Sequence, residues 1–106
     1  MSPEQQRICI AKACGWTFQP MMGPLDFPWM TPSKKWEDRQ ANPPDYLSDL
    51  NAMHEAEKVI RSDKKKWNIY YCHLCKMNGG FRNCMHATAA QRAEAFLRAT
   101  GKWEEA

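Results

Sequence analysis

Residues 70–87 read "YYCHLCKMNGGFRNCMHA", and the conformation assigned to this stretch decides the fold. Gly79 and Gly80 suit the positive backbone angles of a two-residue type I′ turn, and Trp67, Ile69 and Tyr71 before them favour strands. The expectation is a β-hairpin from Trp67 to His86. A turn centred on the two glycines sets Cys75 opposite Cys84 and His73 opposite His86, and strand alternation puts all four side chains on one face. Facing β-carbons in such a pair lie about 4.5–5.5 Å apart, within reach of a shared tetrahedral zinc. A kink at Cys72 yields the alternative ligand set Cys72, Cys75, Cys84 and His86. If the turn centres on Asn78 and Gly79, Cys75 faces Arg82 and His73 faces Cys84, and the residues are ordinary strand packing. Zinc is the one cofactor these residues suggest; no other is expected.

Working outward, three helices are signalled by their ends and stripes. Ser2, Pro3 and Gln5 form a capping-box start, Ile8, Ile10, Ala11 and Cys14 supply apolar positions, and Gly15 stops the helix. Residues 45–60 place Tyr46, Leu50, Met53, Ala56 and Ile60 three or four apart, a core-facing stripe. His54 lies off that stripe beside Asn51 and Glu57, where pairing of a histidine with a carboxylate at the surface is the ordinary outcome. Thr88 and Gln91 open the last helix, with Ala90, Ala93, Phe96 and Leu97 on its apolar side and Gly101 after its end. "WTFQ" at 16–19 alternates like a short strand. Residues 20–44 hold six of the seven prolines with Met21, Met22, Phe27, Trp29, Met30 and Trp36, and read as a long apolar loop over the core or against a partner. The predicted fold is α+β in one domain, 1–106: one strand plus a β-hairpin packed on about three helices, in the order α-β-α-β-β-α.

Composition narrows the function classes. The 106 residues support one modest core, and 43% hydrophobic with 25% charged residues are globular values. No apolar run approaches the roughly 20 residues of a membrane span, and the opening "MSPEQQRICIAKACGW" is too polar for an export signal, so a soluble cytoplasmic protein is expected. Five cysteines without such a signal read as reduced thiols. The net charge is +3, and the dense basic run Lys64, Lys65 and Lys66 has Glu55, Glu57 and Asp63 nearby to dilute it, which argues against nucleic acid as the partner. No phosphate-cradling glycine loop, nucleophile elbow or paired metal-ligand helix occurs, so no enzyme is expected.

The blocks "SPEQQRICIAKACGW" (2–16), "PDYLSDLNAMHEAEKVI" (44–60) and "ATAAQRAEAFLRATGKWEEA" (87–106) resemble the phage ABA sandwich domain family, small proteins of tailed phages and prophages. The resemblance covers about half the chain. It implies a small α+β domain, an infected or lysogenic bacterial host and assembly as a homo-oligomer; it supplies no catalytic residues.

The leading functional expectation is a non-enzymatic protein that binds a nucleotide-like ligand, with sequestration of a host defence signal as its task. Trp16, Trp29, Trp36, Tyr70 and Tyr71 are residues that stack on a base, and Lys34, Lys35, Arg39, Lys64 and Arg82 ones that meet phosphate. A protein-interaction module docking on a host or phage partner through the loop is the first alternative, and a nucleic-acid-binding protein with a zinc-stabilised hairpin the second.

Overall fold

The computed structural model describes residues 1–19, 28–33, 38–79 and 84–104. Helix α1 is Pro3–Ala13, β1 Thr17–Phe18, β2 Trp29–Met30, α2 Leu50–Arg61, α3 Lys64–Met77 and α4 Ala89–Ala99, with a single 3-10 turn at Cys84–His86 before α4. The class is α+β, with four helices and a two-stranded antiparallel sheet among the described residues. The order differs from the expected one, because residues 64–77 form a helix where strand and hairpin were predicted.

The chemistry of α3 explains the difference. Asp63 caps it, its carboxylate accepting from the amides of Lys65 at 3.1 Å and Lys66 at 3.2 Å. Trp67, Tyr70, Leu74 and Met77 recur at three- and four-residue spacing, the helical period, and Tyr70 and Leu74 are buried on the core. Trp67, Ile69 and Tyr71 are strand-favouring residues, but burial of the 3.6-period stripe outweighs that preference. Gly79 follows the end of the helix instead of opening a hairpin turn. Gly79 has φ +78°, and Asn78 before it donates from both its amide and its side chain to the Leu74 carbonyl, at 3.2 and 2.8 Å.

Elsewhere the signals hold. Both capping boxes form: the Ser2 hydroxyl accepts from the Gln5 amide and the Thr88 hydroxyl from the Gln91 amide, each at 3.1 Å. In the α2 stripe Tyr46, Met53, Ala56 and Ile60 are buried, while Leu50 remains exposed. Helix α4 packs against α1, α2 and α3 and is buried at Ala89, Ala93, Ala95, Phe96, Leu97 and Ala99; its alanines allow close approach on several sides. Ala90, expected on its apolar side, is exposed.

Segment 20–44, predicted as one loop, contains β2. Thr17 pairs with Met30 and Phe18 with Trp29, and Trp29 also bridges Gln40. The Phe18 and Trp29 rings meet at a tilt of 51°, with their centres 5.1 Å apart. The buried Arg39 guanidinium donates to the carbonyls of Gln19 at 2.6 Å and Pro28 at 3.3 Å, tying the start and end of the intervening segment together.

Candidate functional site

The predicted metal ligands are dispersed by the helix. Positions two apart on a helix point about 200° apart, so His73 and Cys75 cannot share a face as they would on a strand. On α3, Cys72 is exposed and His73 and Cys75 are half-buried; His86 is exposed on the 3-10 turn, and the Cys84 side chain lies outside the described residues. Among the described residues no three His, Cys, Asp or Glu side chains converge as a metal-binding group. The facing registers that defined both zinc sets, and the Arg82 alternative, do not exist on α3.

Of the predicted ligand-binding residues, Trp29 and Arg39 come together, both buried in the small sheet, where Arg39 is spent on backbone carbonyls. Tyr70 is buried in the helical core, apart from them. Lys34, Lys35, Trp36 and Arg82 lie outside the described residues. The His54–Glu57 pair is also committed. His54 Nδ1 lies 3.6 Å from Glu57 Oε1, but that carboxylate is buried and bound at 3.1 Å by Arg92 Nη1 from α4.

A different cluster combines cations with an aromatic surface. Helix α4 ends in a Schellman motif: Gly101 has φ +75°, its amide donates to the Arg98 carbonyl at 3.2 Å, and the Lys102 amide donates to the Leu97 carbonyl at 2.8 Å. The Thr100 hydroxyl adds a bond to the Phe96 carbonyl at 3.0 Å. This turn folds the chain back so that Trp103 lies under Arg98, with the guanidinium carbon 5.0 Å from the ring centre. Helix α3, packed against α4, brings His73 to the same place. His73, Arg98, Gly101 and Trp103 line an open notch of about 360 Å³.

Arg98 is the charged residue among those that line the notch, and Lys76 lies near enough to act on His73. Burial, then the charges of Arg98 and Lys76, hold the His73 imidazole below its ordinary pKa, against a weaker opposing pull from Glu94. Glu94 also pairs with Arg98, Nε to Oε2 at 3.4 Å, one helical turn apart. A flat ring can stack on the indole–guanidinium platform while an anionic group meets Arg98 and His73.

A second cleft, of about 310 Å³, opens between the end of α1 and α2, with Trp16, Pro32, Pro44, Tyr46 and Val59 among its walls. The Tyr46 hydroxyl is hydrogen-bonded to Cys14 and Trp16, and burial pushes the Cys14 thiol up to about 11. Its charged members differ from those of the notch: Glu55 lines it, and Glu55 is paired with Lys58 at 2.9 Å. It suits an apolar group, not phosphate.

Sequence reasoning missed Arg98 and Trp103. The available signal was "RATGKW" at 98–103, a cation in the last turn, a helix-ending glycine and an aromatic two residues beyond it. No protein-family model matches the chain, and no match was found among curated proteins or solved structures.

Proposed function

We propose that this protein is a non-enzymatic binding protein for a small nucleotide-like anion held at the His73–Arg98–Trp103 notch. The observation that carries the reading is the Arg98 guanidinium over the Trp103 ring, 5.0 Å away, with His73 in the same cavity. An indole face provides sequence-tolerant stacking for a base, and a guanidinium forks onto phosphate oxygens. The resemblance of the three helical blocks to phage ABA sandwich proteins supports a setting in the cytoplasm of an infected or lysogenic bacterium, sequestration of a host defence signal as the task, and a homo-oligomer as the assembly. Calorimetric titration with a panel of mono-, di- and cyclic nucleotides tests it. Binding of at least one member, lost in both Trp103→Ala and Arg98→Gln, is the expected result; no heat with any nucleotide removes the reading.

A second reading, docking on a host or phage protein, is favoured by Phe18, which touches Trp29 at the sheet yet is 53% exposed. A stoichiometric protein partner recovered by pull-down and lost on deleting residues 21–36 would favour it over ligand binding.

A further inference from the structure

The corner between α2 and α3 carries a basic surface whose acidic neighbours are all engaged. Arg61 ends α2, Ser62 and Asp63 form the connection, and Lys64, Lys65 and Lys66 fill the first turn of α3; all four cations are exposed. In sequence, Glu55, Glu57 and Asp63 lie close enough to dilute them, but each has another partner. Glu55 binds Lys58 at 2.9 Å, and Glu57 is buried against Arg92 from α4. Asp63 accepts the amides of Lys65 and Lys66. Among the described residues none of the four cations stands in an ion pair. Arg61 is held in place over the Trp67 ring, 5.9 Å from its centre.

The placement works against the helix it belongs to. The first turn is the positive end of the helix dipole, where carboxylates stabilise and cations do not, and α3 has no acidic residue there. Asp63 at the cap offsets part of that cost, yet the lysine side chains themselves gain no ion pair among the described residues, and such a local conflict marks a surface kept for another purpose. The helix amides are not that purpose, since Asp63 already caps them; the lysine side chains face outward. Beyond them α3 keeps Asn68, Cys72 and Lys76 exposed along one side, so the polar face runs the length of a 14-residue helix. At 1.5 Å per residue that is about 21 Å of helix, the span of about six consecutive phosphates along one strand of a DNA duplex at 3.4 Å each. Large exposed apolar side chains that would insert into a lipid surface are not part of this face: those described are Phe18, Leu50, Val59 and Met85.

We infer that the α2–α3 corner is a docking surface for the phosphate backbone of duplex DNA, met by Arg61, Lys64, Lys65 and Lys66. This goes beyond the nucleotide reading and uses different residues. Anisotropy of a fluorescein-labelled 20-base-pair DNA duplex, titrated with the full chain between 50 and 150 mM KCl, provides the test. Four neutralised phosphates predict a log–log salt slope of about −3.6, hence about a 50-fold loss of affinity over that range. The variant K64Q/K65Q/K66Q should bring the slope to about −1 while melting no lower than the parent, and Trp103→Ala should leave DNA binding unchanged. No complex at 50 mM KCl, or a slope the triple variant does not move, overturns the inference. Capture by phosphatidylserine vesicles with no DNA binding overturns it in favour of a membrane surface.

Discussion

Replacing Arg92 with methionine should destabilise this protein more than most single substitutions, because it strands a carboxylate in the core. The Glu57 side chain is 5% exposed and its Oε1 lies 3.1 Å from Arg92 Nη1, while the Arg92 side chain is itself only 11% exposed. Removing one partner of such a pair costs about 3–5 kcal/mol, most of it the penalty of the charge left behind. Arg92 also donates to the carbonyls of Ala87 at 3.2 Å and Met85 at 3.4 Å, holding the 3-10 turn onto α4. Their loss places Arg92→Met near the top of that range. A domain of this size has roughly 5–15 kcal/mol in all, so the midpoint of thermal unfolding should drop by about 15 °C or more. Glu57→Gln should cost less, about 2 kcal/mol, since the amide still accepts from Arg92 and the guanidinium keeps its carbonyls. The double variant should be less damaged than the sum, with a coupling of at least about 1.5 kcal/mol in urea unfolding followed by tryptophan fluorescence. Two single variants each costing under about 1 kcal/mol, with additive effects, would refute the burial argument outright.

Four further outcomes follow from the same core and the notch. The Tyr70 hydroxyl is buried beside Glu57 and Arg92 but makes no well-aligned hydrogen bond among the described residues, so Tyr70→Phe should be neutral or stabilising by up to about 1 kcal/mol in urea unfolding. Cys14, with its pKa pushed up to about 11 by burial, should resist iodoacetamide at pH 8 while exposed Cys72 is alkylated, read by peptide mass spectrometry. A thiol raised in the folded state adds stability that is present below its unfolded pKa of about 9 and is lost as pH climbs toward 11, so alkaline melting should be later in Cys14→Ala. His73, held below its usual pKa, is neutral in the free protein at pH 7 and gains its proton only in acid. Nucleotide affinity should therefore rise as pH falls below about 6.5, and His73→Gln should flatten that profile.

Helices α1 and α4 were legible from residues that act locally: Ser2 with Gln5 and Thr88 with Gln91 satisfy amides within a single turn. The α2 stripe was legible because four of its five apolar positions face one core. Helix α3 was misread because Trp67, Ile69 and Tyr71 alternate like a strand, whereas Trp67, Tyr70, Leu74 and Met77 share a face only at helical period. Two glycines then looked like a turn, although Gly79 serves as a helix stop. Strand β1 was legible in the alternation of "WTFQ", but its partner β2 escaped: Phe18 meets Trp29 across an intervening segment, and no local pattern specifies so distant a pairing. The notch was illegible as a unit. His73 reaches Arg98 only because α3 packs on α4, and Trp103 reaches Arg98 only through the reversal at Gly101.

The central position of α4 has a consequence for how the chain comes into being. Helices α1, α2 and α3 each lean on residues 89–99, which emerge from the ribosome after all of them. Until Phe96 and Leu97 arrive, the cluster they share with Ile10, Met53 and Tyr70 is incomplete, so the earlier helices wait with apolar residues exposed. Folding of this core is thereby deferred until residues 89–99 have emerged, and a chain cut before Ala89 would lack the helix on which the other three pack.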